Sequence, residues 1–145
     1  INYTEFKLTL LLSKSQKLKE SAMNNLIVLH NSRCMKSRNA LKVLEEHNIP
    51  YSIVPYLEGT LNVNDLKDLL SKLRLNPSDI VRKTEALYKE CFKGKEFSNG
   101  EWLEILVNNP KLIERPILFN DKNAVVGRPT ENVITFINKQ RFAFL

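Results

Sequence analysis

A chain of 145 residues with 43% apolar side chains is long enough for one domain with its own core and too short to require a second. Its formal charge of +6 does not mark a nucleic-acid surface, because residues 1–22 and the last seven residues each contribute +2 and leave the body at only +2. Basic ends of this kind read as solvated tails, and no nucleic-acid partner is expected.

The first 22 residues hold no apolar run longer than Leu8–Leu12, and even that run includes Thr9. A spanning helix needs ~18 apolar residues, so neither a membrane span nor a secretory signal is expected. Met23 reads as a start, which makes 1–22 an N-terminal extension, either a leader or an added segment. Leu8, Leu11, Leu12 and Ser15 would share one face if that segment were helical.

Asn25–His30 is a short apolar run of strand type, followed by a helical pattern with Ala40, Leu41 and Leu44 on one face. Ile49-Pro50 closes that helix, and Tyr51–Leu57 predicts a second strand. A helix between two strands implies a parallel, right-handed crossover.

Residues 62–109 predict a helical insert with three starts. Asn62 precedes Val63, Leu66, Leu69 and Leu70; Asn76-Pro77 sets a cap before a first-turn proline; Ser98 and Glu101 form a capping box. Pro116–Phe119 and Ala124–Val126 then predict strands joined by the turn-rich Asn120–Asn123. Thr130 is expected to cap a last helix carrying Val133, Ile134 and Ile137, with the domain spanning 23–138 and a tail at 139–145. The order β-α-β, helical insert, β-β-α is an α/β, thioredoxin-like arrangement with a small mixed sheet. Fold alone does not assign a reaction.

The chemistry centres on Cys34, four residues past the first strand, where the strand hands over to the first helix. Unpaired N–H groups and the partial positive charge of a helix N-terminus, with Arg33, Lys36 and Arg38 nearby, predict a thiolate favoured below the ~8.5 of a free cysteine. The same N–H groups suit an oxyanion beside the sulfur. A lone cysteine is ordinarily a small buried hydrophobe, but polar and basic neighbours argue against that here.

Ser37 takes the fourth place of a Cys-x-x-Cys pattern, so an outside thiol must resolve any intermediate, and Ser37 is placed to cap the helix. His30 either supports the thiolate or is structural. Cys91, 57 positions from Cys34, is expected to pack beside Leu87 and Phe92. Two cysteines without close His or Cys partners form neither a disulfide framework nor a zinc site, which predicts a reducing, cytoplasmic setting. With no Gly-rich phosphate loop and no clustered ligands, no bound metal or nucleotide cofactor is expected.

The run His30-Asn31-x-x-Cys34-x-x-Ser37-Arg38-Asn39 resembles the active-site loop of the glutaredoxin-coupled arsenate reductase (ArsC) family. Tyr56-Leu57-Glu58, Arg82-Lys83, Leu112–Ile117 and Gly127-Arg128-Pro129 resemble its later blocks in order, so the resemblance covers about Asn25 to Ile137. Met35-Lys36 and Gly127 depart from its best-known members, some of which carry a cysteine at the last position.

The resemblance implies an enzyme that reduces arsenate to arsenite, with Cys34 as nucleophile and Arg82, Arg115 and Arg128 holding the oxyanion. It also implies glutathione as co-substrate, glutaredoxin as partner, and Pro116 as a cis-proline facing the loop. Guanidiniums suit the task, since they stay charged and present paired donors to a tetrahedral anion. Two alternatives share the fold. Spx-type regulators that bind RNA polymerase usually carry Cys-x-x-Cys and lack the Gly-Arg-Pro block, and a glutathione-dependent oxidoreductase would act on another substrate.

Overall fold

The computed structural model describes residues 26–142; the extension 1–22 lies outside the described residues, as do 143–145. Four short strands form one mixed sheet in the order β2-β1-β3-β4. Strand β1 (Ile27–Leu29) pairs parallel with β2 (Ser52–Val54) and antiparallel with β3 (Ile117–Phe119), which pairs antiparallel with β4 (Ala124–Val126). This is the mixed sheet of the thioredoxin-like class expected from the element order.

The two-residue period of the strands divides the core between the sheet's faces. Val28 stands opposite Leu118 in the register, and both pack with Ala40 and Leu44 of α1 (Met35–Glu46) and Val133, Phe136 and Ile137 of α5 (Glu131–Phe142). Leu29 stands opposite Ile117, and both pack on the other face with Leu66, Leu69 and Leu70 of α2 (Val63–Leu73) and Trp102, Leu103 and Leu106 of α4 (Asn99–Asn108). A one-residue slip would exchange the two sets, so burial on both faces holds the register.

Local chemistry sets the helix starts. Asn62 Oδ1 accepts from Asp65 N–H at 2.8 Å while Asn62 N–H donates to Asp65 Oδ2 at 3.1 Å; Ser98 and Glu101 reciprocate in the same way at 3.2 Å each. Asn120 organises the hairpin turn, its side-chain oxygen accepting from the N–H groups of Lys122 and Asn123.

Three expectations are corrected. The strand expected over Tyr51–Leu57 pairs only at Ser52–Val54, because Pro55 has no N–H to donate and the chain then coils into a 3-10 turn at Tyr56–Glu58, ending at Gly59 with φ 75°. That turn carries Tyr56 into the core. Asn76-Pro77 starts a single 3-10 turn, Pro77–Ile80, and the next helix, α3 (Ala86–Cys91), begins later. Backbone pairing stops the turn: Arg82 N–H donates to Leu112 O at 2.7 Å and Glu114 N–H to Ile80 O at 2.8 Å, across a bridge between Val81 and Ile113. Finally, α5 continues through Phe142, past the boundary expected at 138.

Candidate active site

Cys34 is the N-cap residue of α1, with extended backbone (φ −95°, ψ 123°) and its N–H donated to Asn31 O at 3.0 Å. Its side chain makes no capping bond, which leaves the sulfur available for chemistry. Burial pushes the thiol up, but the N–H of Ser37, the Arg115 guanidinium and the N–H of Lys36 outweigh it and hold its pKa down at about 7. Near neutral pH the thiolate is abundant.

The loop residues brought together with Cys34 hold its backbone. Ser37 is fully buried; its Oγ accepts from Asn31 N–H at 3.0 Å and shares a 2.7 Å hydrogen bond with His30 Nδ1. Ser37 therefore pins the preceding loop and does not cap α1. His30 has a lowered pKa, through burial and then the Arg38 charge, so the neutral imidazole is favoured as the partner of Ser37. Asn31 also receives Arg33 N–H on its side-chain oxygen at 3.0 Å, and Arg38 Nη1 donates to Ser32 O at 2.9 Å.

The cations expected to favour the thiolate are corrected as well. The Arg33 and Lys36 residues are exposed, and Arg38 is committed to the loop carbonyl. The guanidiniums that reach the sulfur come from far along the chain: Arg115 beside the thiol, and Arg128, whose Nη2 lies 3.4 Å from Sγ.

Each of the three arginines has a structural reason for its place. The Val81–Ile113 bridge sets the backbone of Arg82 against that of the segment leading to Arg115. Arg115-Pro116 and Arg128-Pro129 are both cis peptides, and Gly127 N–H donates to Pro116 O at 2.8 Å, which joins the two segments. Gly127 is required there, since a Cβ would stand 2.9 Å from Pro116 Cγ, 3.1 Å from Val133 Cγ2 and 3.3 Å from Leu118 Cδ1. A larger side chain at this place would not fit without movement.

Other residues complete the site without having been singled out for it by sequence. Glu85 Oε1 lies 3.1 Å from Arg82 Nη1 and 3.9 Å from Arg115 Nη1. Glu114 Oε2 lies 3.9 Å from Arg128 Nε. Asn132, in the first turn of α5, donates through Nδ2 to Arg128 O at 2.9 Å and so fixes that arginine's backbone. The buried Tyr56 hydroxyl and Arg115 Nε each lack a hydrogen bond of full geometry, although the two side chains interact electrostatically. Burial raises the Tyr56 pKa against the pull of Arg115, so the neutral phenol is favoured. The available signals were the three-residue spacing of Arg82 and Glu85 and the presence of Tyr56 and Glu114 within the matching blocks.

Cys91 is exposed at the end of α3, so the packing role expected for it is not what the fold assigns; Leu87 and Phe92 fill the cluster instead. Among the described residues, no group of three or more His, Cys, Asp or Glu is placed to hold a metal ion, and no helix is long and apolar enough to cross a membrane.

A four-stranded mixed sheet, with a cysteine at the head of its first helix and the guanidiniums of Arg115 and Arg128 at that sulfur, defines a thioredoxin-like protein. The model of the ArsC family matches residues 29–136, and the chain belongs to that family. It is 38% identical over 113 residues to an arsenate reductase of Neisseria meningitidis serogroup A, covering 77% of this chain and 97% of that protein. It is also 38% identical over 112 residues to the uncharacterized protein YfgD of Escherichia coli, covering 76% and 94%. A solved arsenate reductase from Vibrio cholerae superposes with a TM-score of 0.71 at 38% identity, over 76% of this chain and 95% of that one.

Proposed function

We propose that the chain reduces arsenate to arsenite in the cytoplasm, with the Cys34 thiolate as nucleophile and glutathione and glutaredoxin as the thiol partners. The observation that carries this reading is the approach of Arg128 to within 3.4 Å of the Cys34 sulfur, with Arg115 beside the same atom and Arg82 joined to Arg115 through Glu85. A thiolate alone repels an oxyanion. Guanidiniums around it reverse that repulsion and orient the tetrahedral group for attack.

In the proposed cycle the thiolate attacks arsenic and an arsenate oxygen leaves as water, giving a covalent Cys34–arsenic(V) adduct. The glutathione thiol adds next to the arsenic, and a second arsenic-bound oxygen leaves as water. As arsenite departs, arsenic(V) takes up two electrons, and the sulfurs of Cys34 and glutathione are oxidised together to one mixed disulfide. A glutaredoxin thiol then attacks that disulfide and returns Cys34 to the thiolate. Ser37, committed to His30 and Asn31, offers no second thiol for the step, which supports an external reductant. No bound cofactor takes part.

The test is arsenite production by the purified protein with glutathione and glutaredoxin, each omitted in turn. Turnover that needs arsenate, glutathione and glutaredoxin together is expected. Reduction of a mixed-disulfide substrate without any arsenate turnover would replace this reading with a glutathione-dependent thiol oxidoreductase.

A further inference from the structure

The arginines at Cys34 are already engaged. One carboxylate oxygen, Glu85 Oε1, stands 3.1 Å from Arg82 Nη1 and 3.9 Å from Arg115 Nη1, so it bridges two of the three guanidiniums assigned to the oxyanion. Glu114 faces the third at 3.9 Å, and Arg128 Nε also donates to Arg115 O at 2.9 Å. With Cys34 ionised, three positive charges meet two carboxylates and a thiolate. These six charges cancel, so a dianion gains little net attraction from the guanidiniums while both carboxylates stay in place.

Within the Arg82–Glu85–Arg115 cluster, exposure identifies the group that yields. The Arg82 and Arg115 side chains are each 13% exposed, whereas that of Glu85 is 24% exposed. Glu85 also lines an open cavity of about 310 Å³ that Arg115, Lys111 and Arg33 border. A carboxylate at that edge has space to withdraw and, although Glu58 also lines the cavity, Lys111 and Arg33 to withdraw toward, whereas Arg82 and Arg115 are held more deeply.

We infer that Glu85 is a built-in competitor for the oxyanion: its carboxylate holds Arg82 and Arg115 together until a tetrahedral anion displaces it, and so sets the site's affinity threshold. The inference rests on the oxyanion reading above and adds a specificity-determining residue to it. Glu85 acts through the two arginines and needs no contact with the reacting atoms. A monoanion such as chloride offers no more charge than the carboxylate it would displace. A phosphate- or arsenate-like dianion does.

The discriminating substitution is Glu85→Gln, which keeps an acceptor oxygen for Arg82 Nη1 and removes only the charge. Inorganic phosphate and arsenate binding to the full chain, measured by calorimetry, is expected to tighten about tenfold in Glu85→Gln. Chloride, without effect on the wild type, is expected to compete in that variant. Glu85→Asp keeps the charge and is expected to bind phosphate less tightly than Glu85→Gln.

A structural role alone predicts the opposite sign, since loosened arginines bind an anion more weakly. The Cys34 titration, followed by iodoacetamide, is a readout without oxyanion: loss of the Glu85 charge leaves Arg115 less neutralised and moves the midpoint to lower pH. Equal or weaker phosphate binding in a folded Glu85→Gln protein, with wild-type binding intact, overturns this inference and leaves the oxyanion reading standing. Binding in the variant but not in the wild type supports it. Absence of phosphate and arsenate binding in both proteins overturns the oxyanion reading and this inference together.

Discussion

Arg128 is tied to Arg115 by a hydrogen bond from its Nε to the Arg115 carbonyl at 2.9 Å, and that bond leaves Nη2 directed at the Cys34 sulfur, 3.4 Å away. One guanidinium thus spans a backbone anchor and the reactive atom. Lysine keeps the charge but has no second arm, so Arg128→Lys must give up one of the two contacts. Hydrogen bonds to charged groups contribute about 1.5–3 kcal/mol, so kcat/KM for arsenate is expected to fall about 10- to 100-fold. The side chain is 32% exposed and belongs to neither core cluster, so the melting temperature should move by no more than a few degrees. Wild-type kinetics in this variant would place the anion elsewhere.

The Cys34 thiol, held at about 7, makes reactivity a function of pH in the physiological range. The thiolate fraction is about a half at pH 7 and about a tenth at pH 6. Alkylation by iodoacetamide is expected to follow that curve, and a midpoint near the free-cysteine value would contradict the described surroundings. The sign of the stability effect follows from the same shift. A folded pKa below the unfolded one contributes stability that is complete above the unfolded value of ~8.5 and is lost as pH falls through about 7. The melting temperature of the wild type should therefore exceed that of Cys34→Ser by more at pH 9 than at pH 6, while Cys34→Ser loses turnover at every pH.

What could be read from sequence was whatever local chemistry determines. The helix start at Asn62, the capping box at Ser98 and the strand at Ala124–Val126 depend on residues a few positions apart, and they stand where expected. The turn after Asn76-Pro77 has the same local signal but not the same outcome. The backbone of Ile80 and Arg82 pairs with Leu112 and Glu114, some thirty positions away, and no local pattern reports that pairing.

The site divides in the same way. Cys34 and its loop were legible as a unit, but the charges nearest it in sequence belong to Arg33, Lys36 and Arg38, whereas the guanidiniums at the sulfur belong to Arg115 and Arg128. Family resemblance supplied those arginines. It did not supply Glu85, whose distance from Arg115 becomes small only once the Val81–Ile113 bridge forms.

Gly127 connects packing to the site. An added Cβ would meet the Pro116 ring at 2.9 Å and Val133 at 3.1 Å, and the ring cannot rotate away. Gly127→Ala is expected to cost about 1–3 kcal/mol, lowering the melting temperature by about 4–12 °C. The neighbouring Arg128 moves with the strand end, so kcat/KM for arsenate should fall more than the stability loss alone explains. An alanine variant with unchanged melting temperature and turnover would show that β4 can retreat from Pro116 without disturbing the arginine.

Cys91 is the remaining thiol, and its position decides whether the cycle is intramolecular. It is exposed at the end of α3, in the insert and not on the loop that carries Cys34. A disulfide requires Cα atoms within about 7 Å, and the hydrogen bonds that fix the Cys34 loop run to Asn31, Ser37 and Ser32, none of them in the insert. Because Cys91 lies outside both buried clusters, truncating it removes no core contact. Cys91→Ala is therefore expected to keep full turnover with saturating glutathione and glutaredoxin, and its melting temperature should shift by no more than a degree or two. Mass spectrometry of the oxidised wild type should find a glutathione adduct on Cys34. Lost turnover in Cys91→Ala, together with a Cys34–Cys91 bridge in the wild type, would replace the external-thiol cycle with an internal relay and require the insert to swing toward the loop during catalysis.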